Sequence, residues 1–246
     1  MRPHAKGLFP PSPLIFARAK TQTFGSLKAF LAAAWAVALK DFRSEWRSRA
    51  ALSAVALFSF AAPVALGYAL SNLAVEPEIL GGLLWVVLFF AAMVGLPRAF
   101  VKEEETGTAT LLRLHIAPDA VLWGKALGQF ALLFATQLGA VPIFLLLLKA
   151  RVEEPLTLLL CLVLGDIGLA VSSCILGAIA AQSRSKGALF PALAAPLLLP
   201  ILASLSVASG VAFGSGFSAA PALQVVLAFD LALVAGSVFL WEFVWE

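Results

Sequence analysis

The sequence predicts an all-α membrane protein: six transmembrane helices with both termini inside, preceded by an amphipathic helix lying along the membrane surface. Three observations predict it. Of 246 residues, 61% are hydrophobic and 13% charged, with a mean hydropathy of +0.98; soluble domains sit near half apolar and a quarter charged. Six apolar stretches approach the ~20 residues that a helix needs to cross ~30 Å of hydrocarbon. Lys and Arg collect on alternate connecting segments. Helices are expected because every backbone amide must be satisfied inside lipid, and no stretch alternates polar and apolar as a barrel strand does.

Residues 1–24 read as a flexible cytoplasmic tail. The tail starts basic, but Pro10, Pro11 and Pro13 interrupt any apolar core of a cleaved signal peptide. Residues 25–49 read as the amphipathic helix. Leu31, Trp35, Leu39, Phe42 and Trp46 recur at spacings of four, four, three and four and share one face. Lys40, Arg43 and Arg47 fall on another. A basic helix bearing Trp belongs at the headgroup level. The competing reading is a cytoplasmic helix packed on soluble protein. The interfacial reading is preferred because the first span begins directly after Arg49.

Residues 50–246 form the six-helix domain, with spans at 51–70, 80–96, 126–148, 156–182, 187–207 and 222–241. Orientation follows from the positive charges. Nine precede the first span, four lie between Arg98 and Lys125, and two between Ser183 and Lys186, so one side holds fifteen of the seventeen. The other side holds Lys149 and Arg151. An excess of Lys and Arg marks the cytoplasmic side. The net charge of +3 is too small to suggest nucleic acid as a partner.

Asp166 and Asp230 fall inside the fourth and sixth spans, where a carboxylate costs roughly 3 kcal/mol on insertion scales. They are candidates for a substrate path or proton coupling, or for hydrogen-bonded acids that hold helices together. Gln129 and Gln137 in the third span, and Gln224 in the sixth, are candidate partners. Gly124 and Gly128 form a GxxxG at the start of the third span, and Ser173, Gly177 and Ala181 a small-residue ridge on the fourth. Pro191, Pro196 and Pro200 in the fifth span each remove a backbone donor and predict a kinked helix, either lining a path or simply packing. Cys161 and Cys174 lie thirteen residues apart on one helix. That separation of ~20 Å is too great for a disulfide. His4 and His115 lie outside the apolar runs and read as solvated side chains, so no metal site is expected.

No GxxxxGK[ST] phosphate loop occurs: Asp119 stands at the first Gly position before Gly124-Lys125, and Ala126 at the Ser/Thr position. No HExxH or GxSxG occurs either, and no motif supports Asp166 and Asp230 as a protease pair. The chain is therefore expected to be a non-catalytic subunit that binds no nucleotide and no cofactor by motif.

The longest polar stretch, residues 98–125, carries the most specific pattern: a span ending at Pro97, Phe100, the acids Glu103-Glu104-Glu105, Gly107-Thr108, a Leu-rich turn, Pro118, and Gly124-Lys125 entering the next span. It resembles the loop between the second and third spans of ABC-2-type exporter permeases. With the KDFRSEWRSR entry to the first span and the LFPALAAPLLLPILASLSVA of the fifth, the chain is similar to the CcmB family, the permease subunit of the cytochrome c maturation (haem exporter) system. The resemblance covers residues 35–241. The tail before Gly25 and the Gly107–Pro118 segment are longer than the commonest family form.

The resemblance implies an ABC ATPase partner that supplies ATP hydrolysis, a homodimer within the complex, and a haem-handling membrane subunit and haem chaperone. It implies a bacterial inner-membrane location, with haem as cargo or as the group loaded onto the chaperone. A generic exporter of lipid or drug, and a membrane scaffold without transport, are the alternatives. Glu103 to His115 reads as a short coupling helix, with acids at its start, basics near its end and Gly107 weakening its middle. Glu103, Glu104, Glu105, Gly107, Leu111, Leu112, Arg113 and Leu114 are the candidate ATPase-coupling residues, the leucines as apolar anchors.

Overall fold

The computed structural model describes residues 27–47, 49–95, 103, 107–182 and 186–245. Glu104 and Glu105 lie outside them. The described residues form eight α-helices: α1 (Leu27–Arg47), α2 (Arg49–Ala69), α3 (Pro77–Gly95), α4 (Thr108–His115), α5 (Pro118–Leu147), α6 (Pro155–Gln182), α7 (Lys186–Ala212) and α8 (Ala220–Trp245).

Proline opens three of these helices. Pro77, Pro118 and Pro155 are the first residues of α3, α5 and α6, where a missing N–H costs no hydrogen bond and φ is already helical. Glu78 and Asp119 follow in the first turns of α3 and α5 and complement their N-terminal dipoles. Pro118 thereby shortens the polar segment: residues 118–125, expected to be loop, are the first two turns of α5. α7 runs unbroken from Lys186 to Ala212 through Pro191, Pro196 and Pro200.

Five helices carry stretches long and apolar enough to cross a membrane: Pro77–Gly95, Pro118–Leu147, Pro155–Ala180, Leu189–Ala212 and Ala220–Trp241. α2 adds a further apolar helix, Val55–Ala69 among the described residues. Large apolar side chains such as Leu57, Phe60, Leu138, Leu146, Leu199 and Phe239 face outward. No soluble protein presents such a surface to water.

Lipid tails are as apolar as leucine, so helices in lipid associate mainly by close packing of small residues and by hydrogen bonds. Two such approaches organise the fold. A Cβ on Gly210 of α7 would lie 3.0 Å from Glu78 Cα, and one on Gly81 of α3 2.6 Å from Gly210 N. The α3–α7 pair is then tied by Trp85, whose Nε1 donates to Ser209 Oγ at 2.8 Å.

The second approach seats α1. A Cβ on Gly124 would lie 2.6 Å from the Ala34 carbonyl oxygen, and one on Gly128 3.2 Å from that of Ala38. The GxxxG of α5 therefore receives α1 along Ala34, Val37, Ala38, Asp41 and Glu45, its buried face. Leu31, Trp35 and Trp46 of the apolar stripe are left exposed, and Leu39 and Phe42 half-buried. The face that packs is thus the small-residue face beside the aromatic one.

A second apolar cluster gathers Val121, Leu122, Ala126, Val171, Cys174, Ala178 and Trp241, with Leu112 and Ile116 packed against it. Trp241 Nε1 donates to the Pro118 carbonyl at 2.7 Å, which ties the end of α8 to the start of α5. Cys161 and Cys174 are both free and buried.

Enlarging Gly124 should separate α1 from α5. Gly124→Val is expected to cost about 1–3 kcal/mol through overpacking, seen as a lower thermal midpoint in detergent and faster proteolysis near α1. Gly139→Ala, on the same helix with nothing within 4 Å of the added Cβ, should leave both unchanged.

Candidate functional site

The packing of α1 on α5 places two acids of α1 on the buried face, Asp41 and Glu45. Facing them, Lys125 of α5 is fully buried. Its Nζ lies 3.2 Å from Asp41 Oδ2 and 2.6 Å from Glu103 Oε2. Lys40 closes the cluster, 2.6 Å from Asp41 Oδ1 and also paired with Glu103. Two cations and two anions thus join α1, the residue at 103 and the start of α5. For Lys40, burial lowers the pKa, but Asp41 and Glu103 outweigh it and the net shift is upward from 10.5. A raised lysine pKa contributes stability that is fully present below 10.5 and is lost only as pH climbs through the folded value. Lys40 is therefore charged throughout the physiological range.

Glu103 was expected on a surface offered to a partner. It is buried, with its carboxylate turned into the protein. It pairs with Lys125 of α5 and Lys40 of α1.

α4 is shorter than the helix expected from Glu103 to His115. Gly107 adopts the left-handed conformation at φ 70°, and the helix starts only at Thr108. That turn is open to glycine and strained for other side chains. The acids at 103–105 consequently precede α4, whose first turn holds no acid, while Arg113 and His115 occupy its last turn. Leu112 is half-buried against the Trp241 cluster. Leu114 is 71% exposed and His115 is exposed beside it. Of the two candidate leucines whose side chains are described, Leu114 is the exposed one.

Polar groups continue along α5 into the membrane domain. Gln129, one turn beyond Lys125, is buried, and Ser173 of α6 donates to its Oε1. Two turns further, Gln137 Nε2 donates to Asp166 Oδ1 of α6 at 2.6 Å. The structure thus brings together the candidates Gln137 and Asp166. It does not bring Asp230 to them: Asp230 is buried against Gly168, where an added Cβ would lie 2.6 Å from Oδ1. Gln224 is exposed near the start of α8.

A narrow cleft runs beside this polar row, walled by Val55, Leu88, Ala92, Leu132 and Leu133 and lined also by Glu45, Thr136, Gln137 and Asp166. A smaller one adjoins it and is lined by Asp41, Glu45 and Gln129. Glu45 lines both. Asp41, Glu45 and the burial of Lys125 were not read from the sequence as a site. The available signal was the spacing of Ala34, Ala38, Asp41 and Glu45, a second stripe beside the aromatic one and complementary to a GxxxG.

A protein-family model described as CcmB protein matches residues 32–244, from within α1 to the end of α8. The chain belongs to the CcmB family. Among curated proteins it is 31% identical over 121 residues to heme exporter protein B of Rhodobacter capsulatus. That alignment covers 49% of this chain and 56% of the relative, so the chain spans little more than half the length of the curated relative it matches. No solved structure matches it. With five long apolar helices and a shorter one, this CcmB-family member is a multi-pass membrane protein.

Removing Lys125 leaves buried carboxylates short of a counter-charge. Lys125→Met should destabilise by about 3–5 kcal/mol, read from unfolding in mixed micelles. Adding Glu103→Gln should cost less than the sum of the two single changes, by at least ~0.5 kcal/mol, because the two residues share one interaction.

Proposed function

We propose that this chain is the permease subunit of an ABC-type haem exporter acting in cytochrome c maturation. In this reading it has six spans, α2 being the first, and sits in a bacterial inner membrane with both termini in the cytoplasm. Two copies join two ATPase subunits, which bind and hydrolyse ATP. A haem-handling membrane subunit and a haem chaperone complete the complex. ATP use drives haem export or the loading and release of the chaperone. The preceding tail, residues 1–24, stays in the cytoplasm, and α1 lies at the headgroup level with Leu31, Trp35 and Trp46 toward lipid. Family membership and the similarity to heme exporter protein B support the haem assignment.

The single observation that carries the coupling part is the placement of α4. Its inner side rests through Leu112 on the Trp241 cluster, and its outer side presents Leu114 and His115. The segment before it includes Glu103, which is bound to Lys125 at the root of α5 and to Lys40 on α1. A push on α4 by a partner would be felt at the Trp241 cluster, on which Leu112 packs. Permeases carry no phosphate loop of their own, so such a lever is what an ATPase needs to move them.

The test uses a strain lacking this chain, complemented with variants. Leu114→Asp should leave the membrane level of the protein unchanged, lower co-purified ATPase activity at least fivefold and reduce c-type cytochromes in parallel. Leu112→Asp should instead lower the protein level, because Leu112 packs inward. Unchanged ATPase activity with Leu114→Asp removes the coupling reading, and a deletion strain with normal c-type cytochromes removes the haem reading. For the orientation, a cysteine at Ser215 should react with impermeant maleimide from outside, and one at His115 only after the membrane is opened. The reverse pattern overturns it.

A further inference from the structure

The charges of α1 are sorted by sign. Its two acids, Asp41 and Glu45, are buried on the face that packs against α5. Its basic residues, Lys28, Lys40, Arg43 and Arg47, are all exposed. Lys40 is tied to Asp41 and Glu103, and among the described residues no ion pair engages Lys28, Arg43 or Arg47. The outward side of α1 is therefore basic and carries no acid. Beside these charges run Leu27, Leu31, Trp35 and Trp46, all exposed, and Phe42 stacks on Trp46 with ring centroids 5.7 Å apart. One order of residues occurs twice: Asp41-Phe42-Arg43 and Glu45-Trp46-Arg47, each a buried acid, an aromatic and an exposed arginine. Each step turns the helix by about 100°. The aromatic stripe thus lies between the face packed on α5 and the two arginines, which are four apart and share a side.

We propose that this side of α1 binds anionic phospholipid, with Trp35 and Trp46 at the boundary between headgroups and acyl chains and the Arg43 and Arg47 guanidiniums on headgroup phosphates. The proposal rests on the reading of α1 as lying at the headgroup level and adds the headgroup it selects. The surface is continuous with the membrane domain: α2 starts at Arg49, directly after α1, and α5, on which α1 is seated, is long and apolar enough to cross the membrane. Trp and a basic stripe on one helix suit the interface, and a guanidinium fork matches a phosphate. Phosphatidylglycerol presents its phosphate without a counter-charge. Phosphatidylcholine adds a cation, for which the outward side of α1 offers no acid. A second copy of this chain fits poorly, because a twofold contact sets arginines against arginines.

The test places the full chain in equimolar phosphatidylcholine–phosphatidylglycerol vesicles, with bromine on the acyl chains of one lipid or the other to quench tryptophan. Emission from α1 is the difference between the chain and its Trp35→Phe/Trp46→Phe variant. Brominated phosphatidylglycerol is expected to quench it about twofold more than brominated phosphatidylcholine at low salt. The ratio should fall toward one at high salt and in Arg43→Gln/Arg47→Gln, which brominated phosphatidylcholine should still quench. Equal quenching by the two lipids overturns the headgroup selection and leaves the interfacial reading of α1 standing; quenching by neither overturns both. A ratio unchanged in Arg43→Gln/Arg47→Gln overturns the assignment to the arginines. If that variant loses quenching by both lipids, the salt series on the unaltered chain decides, and a ratio that high salt does not lower overturns the proposal.

Discussion

Lys125 is a lysine with no exposed surface, held between Asp41 and Glu103. Burying an ammonium costs several kcal/mol unless its partners are well placed, so its position dictates much around it. It requires α1 to lie against α5, since Asp41 is on α1. It also holds Glu103, which lies 2.6 Å from it. Both pairings lie at the same end of the membrane domain as the Trp241 cluster, which holds α4 and the tip of α8 against the start of α5. Between α3 and α5, Glu103 is held by the ion cluster and α4 by the Trp241 cluster.

That arrangement is possible only because α5 presents glycines where α1 crosses it. Any side chain at Gly124 would meet the Ala34 carbonyl, and the pairing distances to Lys125 would open. Packing and electrostatics are one device here: the glycines set the separation, and the ions define the register. In lipid, where apolar burial does not distinguish protein from solvent, close approach and polar pairing are the available means of specification. The same means recur away from the cluster, in Gly81 and Gly210 with Trp85 and Ser209 on the α3–α7 pair.

The row of polar side chains on α5 runs from the ion-paired Lys125 to Gln129 and Gln137, each of which has one amide atom bonded and one buried without a partner. A narrow cleft lies beside Gln137.

Sequence alone determined the membrane class, five of the spans and the family, because apolar run length, charge distribution and the 98–125 motif are local or additive properties. Leu31, Trp35 and Trp46 were legible as one face of a helix by their spacing, and Asp166 and Gln137 as intramembrane polar residues by position. Sequence did not say which face of α1 would pack, since helical periodicity finds the large residues while Gly124 and Gly128 select the small ones. It read Glu103 as part of a continuous acidic helix start; in the structure Gly107 is left-handed and Glu103 is buried against Lys125, 22 positions further on. The ion cluster, the Gln137–Asp166 pair and the cleft were decided by tertiary structure. Each depends on which residues of two different helices stand at the same height and face each other, and no one-dimensional pattern records that.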